Sequence, residues 1–168
     1  MSKRSTVTLR DRPVVDKSLR ATSIHVRGET LTVNTRDRVE IIDLTDRLMS
    51  IVHDRHVQEG LVSVFSLHTT CAVFINEVQT ALIADIKGFL ERLVPRDGPW
   101  IHNDPAHSDC DRQNADAHLR ALLLGHSVTL QVSGGELVLG QWQRILMAEL
   151  DGPRPRTLRA QVWGTKQN

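Results

Sequence analysis

The seven residues Leu61-Val62-Ser63-Val64-Phe65-Ser66-Leu67 alternate so regularly that an extended strand is the natural reading. With a period of two, Val62, Val64 and Ser66 point to one face and Leu61, Ser63, Phe65 and Leu67 to the other. A second strand is expected at Cys71–Ile75, one short turn later. A sheet built on such strands must bury a face, so the rest of the chain must supply what covers it.

Upstream, Ser23–Arg27 and Leu31–Val33 read as extended segments joined by a Gly28-Glu29 turn. Val39, Ile41 and Asp43 alternate as a short strand would. Asp43 or Thr45 can cap a helix running through Leu48, Ile51 and Val52, and Gly60 is expected to close it and open the strong strand. From Val78 the period turns helical: Leu82, Ile86, Phe89 or Leu90, and Leu93 form one apolar stripe, ended by Val94-Pro95. Residues 95–112, with Pro95, Gly98, Pro99 and Pro105, read as a long loop whose His102 and His107 favour a functional role. Asn114–Leu124 reads as a short helix with Asn114 as N-cap, an apolar face of Ala115, Leu119, Leu122 and Leu123, and Gly125 as its stop. The last third is expected to be β: Val128–Val132, a Ser133-Gly134-Gly135 turn, Glu136–Leu139, Gln143–Leu150 and Leu158–Trp163. This segregated order predicts a single compact α+β domain with a mainly antiparallel sheet and two or three helices.

The 168 residues fit one domain. Residues 1–21 are expected to be a flexible N-terminal extension and 22–168 the domain itself. A net charge of +1, no tyrosine and few aromatics give no case for nucleic acid as a partner. Cys71 and Cys110 form no C-x-x-C pair, so a reduced compartment is the simpler expectation. No run of about eighteen apolar residues exists to span a membrane. The N-terminus carries charge but not the apolar segment of a signal peptide, and the expected location is the cytoplasm.

Histidine is the usual metal ligand and acid/base near neutral pH, and eight occur here. None stands in an H-E-x-x-H motif. His53 and His56 read as surface residues, and His25 and His126 have no partner in sequence. His68 ends the strong strand and is followed by Thr69-Thr70, then by Asn76-Glu77 after the next strand. This group either holds an anion or metal at the sheet rim or satisfies the backbone of a turn. His118 shares a helix face with Asn114, and Asp85 is either inward-facing or an exposed helix carboxylate. Spacing alone stops at a candidate polar site.

The same residues carry a family resemblance. Gly60–Glu77 (G-L-V-S-V-F-S-L-H-T-T-C-A-V-F-I-N-E), followed by Asp85, resembles the core signature of the YjbQ family. The match continues through Pro99-Trp100-Ile101-His102, Asn114-Ala115-Asp116-Ala117-His118-Leu119 and Leu124-Gly125-His126-Ser127. It closes with Gly135–Gln143 and Asp151-Gly152-Pro153-Arg154-Pro155-Arg156, and covers roughly residues 22–165. Gln141 stands where the family pattern has Thr, and Trp100 replaces the commoner Tyr.

The resemblance implies a barrel-like sheet, a homotrimer, and His68, His102 and His118 converging on zinc or a similar divalent transition metal. Glu77 and Asp85 would then orient imidazoles or act as general base. Family members are labelled secondary thiamine-phosphate synthases, which implies joining an aminomethylpyrimidine diphosphate to a thiazole phosphate. In that reading Arg154 and Arg156 clamp the anion, and Asn114, Thr69, Thr70 and Ser127 contact substrate. Trp142 either flanks a heterocycle or fills the core. Two other functions stay open: non-catalytic binding of a small phosphorylated metabolite, and metal-assisted hydrolysis of one.

Overall fold

The computed structural model describes residues 23–166; the expected N-terminal extension lies outside the described residues. Among the described residues, eight strands and three α-helices follow one another as β1 His25–Asn34, β2 Glu40–Asp43, α1 Thr45–Asp54, β3 Val57–Ser66, β4 Cys71–Asn76, α2 Thr80–Leu93, α3 Ala115–Leu124, β5 Ser127–Ser133, β6 Glu136–Leu137, β7 Arg144–Glu149 and β8 Pro155–Lys166. They form a five-stranded sheet, β1-β8-β3-β5-β6, and a three-stranded sheet, β2-β7-β4, which together curl as a half-barrel. Every pairing is antiparallel. The α+β domain with a mainly antiparallel sheet is therefore the fold observed.

The strong strand behaves as its alternation requires: Val62, Val64 and Ser66 are buried, while Phe65 and Leu67 are exposed. Its buried face meets Leu130 and Val132 of β5, Leu158, Ala160 and Val162 of β8, and Leu48, Ile51 and Val52 of α1. The three-stranded sheet closes this core with Cys71, Val73, Ile145 and Met147. The opposite face of β7 carries Leu146, Ala148 and then Leu150, and Ala148 and Leu150 pack in a second core with Leu90 of α2 and with Ala117 and Ala121 of α3. β7 is thus buried on both sides, between the large sheet and two helices.

Four expectations give way to tertiary context. No turn forms at Gly28-Glu29: β1 runs straight through it, with Gly28 paired to Gln161. A Cβ at Gly28 would meet the Arg159 guanidinium, so the glycine makes room for a side chain lying over the strand. Gly60 does not close α1, which ends at Asp54 with His56 taking the left-handed turn at φ 54°. Gly60 sits inside β3 opposite Gly164, where a Cβ would strike the Trp163 carbonyl. In α3 the buried face is Ala115, Asp116, Ala117, Arg120 and Ala121, whereas Leu122 and Leu123 are exposed. The stripe expected on α2 is likewise half open, because Leu90 is buried but Phe89 and Leu93 are not.

Candidate functional site

Where β7 ends and β8 begins, the two sheets are tied by a closed ion pair. Glu149 is 0% and Arg156 1% exposed. Arg156 Nε donates to Glu149 Oε2, its Nη2 to Oε1, and Nη2 also reaches Thr70 Oγ1 at 3.0 Å. Thr35 Oγ1 and the backbone N–H groups of Leu150 and Asp151 complete the carboxylate's partners at 2.8–3.0 Å. Burial pushes the Glu149 carboxyl up, but hydrogen bonds from Arg156 and the Asp151 N–H, with the Arg156 charge, outweigh it and hold the group below its ordinary value. Arg156, expected as an anion clamp, spends these donors inside the protein.

Two residues on, Asp151 anchors a different arrangement. Its Oδ1 accepts from Arg38 Nη1 at 2.9 Å, and its Oδ2 from Asn114 Nδ2 at 2.8 Å and Arg154 Nη2 at 2.7 Å. Arg112 Nε lies 3.3 Å from the same Oδ2. Arg38 also reaches Asp116 Oδ1 at 3.0 Å, and Arg120 Nη1 lies 3.4 Å from Asp116 Oδ2. Asn114 occupies the N-cap position of α3 but makes no side-chain cap hydrogen bond; its amide serves Asp151 instead.

The first turns of α3 also place His118 against His102, which sits in a short 3-10 turn, Ile101–Asn103, of the long loop. The rings meet edge to face, centroids 5.1 Å apart and planes at 85°. They line a cavity of about 490 Å³ otherwise walled by Pro99, Trp100, Ile101, Ala115 and Leu119. Trp100 is held by its indole N–H donating to the Pro95 carbonyl at 2.8 Å. Burial lowers the His118 pKa, the His102 ring lowers it further, and Asp151 and Asp116 oppose the shift. His118 is accordingly neutral at pH 7 and has an acceptor nitrogen to offer.

His68 does not join this pair. Its Nε2 accepts the Thr157 N–H at 2.7 Å. In the neutral ring that leaves Nδ1 protonated, with no lone pair for a metal. Burial first, then the Arg156 charge, keep its pKa low; Glu149 opposes and Arg154 adds to the lowering. Among the described residues no three His, Cys, Asp or Glu side chains come together to hold a metal. A zinc site takes at least three protein ligands, so within one chain the three-histidine set does not fit the ion.

The remaining expected residues scatter. Thr70 is buried and joins the Arg156 network, while Thr69 and Ser127 are exposed. Glu77 is half-buried with its N–H on Asn76 Oδ1, and Asp85 is exposed on α2. Trp142 is 56% exposed, so the core reading of this residue fails. Sequence reasoning gave no role to Glu149, Asp151 or Asp116, although the last two lie within the quoted motifs. Arg38 and Arg112 lie in loops with no periodicity to mark them.

A family model described as "UPF0047 protein YjbQ-like" matches residues 29–165. A UPF0047 protein of Methanothermobacter thermautotrophicus is 43% identical over 141 residues, covering 84% of this chain and 94% of that protein. One from Archaeoglobus fulgidus is 49% identical over 126 residues, covering 75% and 93%. Among solved structures, a YbjQ-like protein of unknown function from Sulfolobus solfataricus superposes with a TM-score of 0.78 at 32% identity, covering 84% of this chain and 99% of that one. Motifs, fold and relatives agree: the chain belongs to the YjbQ/UPF0047 family.

Proposed function

We propose that the cavity beside His102 and His118 binds a flat, phosphorylated metabolite, and that the protein catalyses group transfer on it of the thiamine-phosphate synthase type. One observation carries the reading: two imidazoles in edge contact form the polar part of an otherwise apolar cavity. Such a cavity suits a heteroaromatic ring, and a few placed polar groups orient it. In the transfer, the thiazole nitrogen attacks the pyrimidine methylene and forms the new C–N bond. The C–O bond to diphosphate breaks and the electron pair leaves with it. The two imidazoles orient the ring, and guanidinium groups receive the diphosphate.

Among the described residues no carboxylate lines the cavity, and Asp85 is an exposed residue of α2 outside that lining, which supports a second reading: non-catalytic binding of the same ligand class. Metal-assisted hydrolysis needs more ligands than His102 and His118 supply; were a zinc-like ion bound, these would be its two imidazoles. A homotrimer belongs to the same reading, supported by the exposed Phe89, Leu93, Leu122 and Leu123 on α2 and α3. No helix among the described residues is long and apolar enough to cross a membrane.

The test is thiamine phosphate formation by wild type, His102→Ala and His118→Ala, alongside calorimetric binding of the thiazole phosphate. The expected result is turnover by wild type and a loss of about 100-fold in each variant. Full rates in both variants would end the proposal. Binding without turnover in wild type would favour the second reading.

A further inference from the structure

We infer that Arg38, Arg112 and Arg154, gathered on the single carboxylate of Asp151, form an oxyanion subsite for a phosphate or diphosphate group. The assignment rests on the phosphorylated-ligand reading above and gives the phosphate an address.

The cluster holds surplus positive charge and free donors. Arg38, Arg112, Arg120 and Arg154 share a connected network with Asp116, Asp151 and Glu91, four guanidinium groups against three carboxylates. Arg120 is enclosed, with its side chain 2% exposed, and its donors go to Glu91, Asp116 and the Val94 carbonyl. The surplus positive charge therefore falls on the other three. Their side chains are open to solvent, at 26% for Arg38, 24% for Arg154 and 56% for Arg112.

Each guanidinium keeps donors in hand. Arg38 binds Asp151 and Asp116 through its two terminal nitrogens, leaving Nε. Arg154 uses Nη2 on the Asp151 side chain and backbone carbonyl, leaving Nε and Nη1. Arg112 approaches Asp151 through Nε alone, leaving both terminal nitrogens. Asp151 itself is 3% exposed and already takes Asn114 as well, so it has no capacity to neutralise all three cations. Asp37 and Asp111, beside Arg38 and Arg112 in the chain, are exposed and make no ion pair with the cluster among the described residues. Like charges are thus held together at the surface with planar forks that match a phosphate's oxygens. Asp151 is a positioning residue for those forks.

The subsite also stands in the right place. Asn114 and Asp116, which hold Asp151 and Arg38, flank Ala115 in the first turn of α3, and Ala115 with His118 lines the imidazole cavity. The start of α3 is therefore shared, by the cavity through Ala115 and by the arginine cluster through Asn114 and Asp116.

Inorganic diphosphate is the probe, titrated calorimetrically into the full chain, with inorganic phosphate as a second arm. The wild type is expected to bind diphosphate more tightly than phosphate, and more weakly as NaCl rises. Arg112→Ala, at an exposed position that the fold does not need, is expected to weaken diphosphate binding about tenfold, with Arg112→Lys between. Arg47→Ala on α1, exposed and in no ion pair with the cluster among the described residues, is expected to change nothing. Equal affinity in wild type and Arg112→Ala, or no binding of millimolar diphosphate by the folded wild type, would overturn the assignment. Diphosphate binding by a protein that never makes thiamine phosphate fails the reaction but not the subsite. Turnover without diphosphate binding fails the subsite but not the reaction.

Discussion

Glu149 and Asp151 are two residues apart, yet they build opposite kinds of ion pair. Glu149 meets one arginine, is fully enclosed, and ties β7 of one sheet to β8 of the other. Asp151 gathers three arginines whose side chains stay partly in water. A matched, dry pair has nothing left to offer a ligand and everything to lose when one partner goes. A mismatched, open cluster tolerates loss of a member and has donors to spare. The contrast separates architecture from function more clearly than residue type does, since Arg154 and Arg156 belong to one motif and fall on opposite sides of it.

The contrast breaks most visibly at Arg156. Arg156→Ala leaves the Glu149 carboxylate buried and unpaired, and an expected loss of about 3–5 kcal/mol is read from urea unfolding. The Glu149→Ala, Arg156→Ala double variant is expected to lose less than the sum of the singles. Asp151→Ala comes next, at about 1–3 kcal/mol, because it removes hydrogen bonds from Asn114 and the arginines at a largely buried position but leaves those arginines access to water.

Acid sharpens the same comparison. The Glu149 pKa is depressed in the folded state, so the unfolded chain takes up a proton first as pH falls. Its contribution is full above the ordinary carboxylate value of 4.5 and is lost as pH falls from there through the folded value. Thermal unfolding between pH 6 and 3 checks this, and Glu149→Gln is expected to flatten that part of the profile. Smallest is Arg112→Ala, expected to stay within about 0.5 kcal/mol of wild type, since an exposed ion pair contributes little. A large stability loss there would make the open cluster structural after all.

How far the molecule could be read in advance follows the range of the forces involved. The β3 alternation and the Gly134-Gly135 turn, with φ of 60° and 81°, are local and were legible. Gly28 and Gly60 were misread because a glycine marks a turn only when no strand lies across from it; here Gln161 and Gly164 do. Asp116 and Arg120 on the buried face of α3 look like solvent residues until Arg38, from a distant loop, and Glu91, from α2, are supplied. The histidines divide in the same way. His102 and His118 were named from the motifs and meet in space, whereas His68 is taken by the Thr157 N–H of β8, a partner that no spacing rule reveals.

The most direct measurement follows the imidazole ring resonances by NMR while the thiazole phosphate is titrated into the protein. His102 and His118 are expected to shift together and saturably, while the α1 residue His53 stays in place. Saturable binding that leaves both resonances unmoved would contradict that expectation.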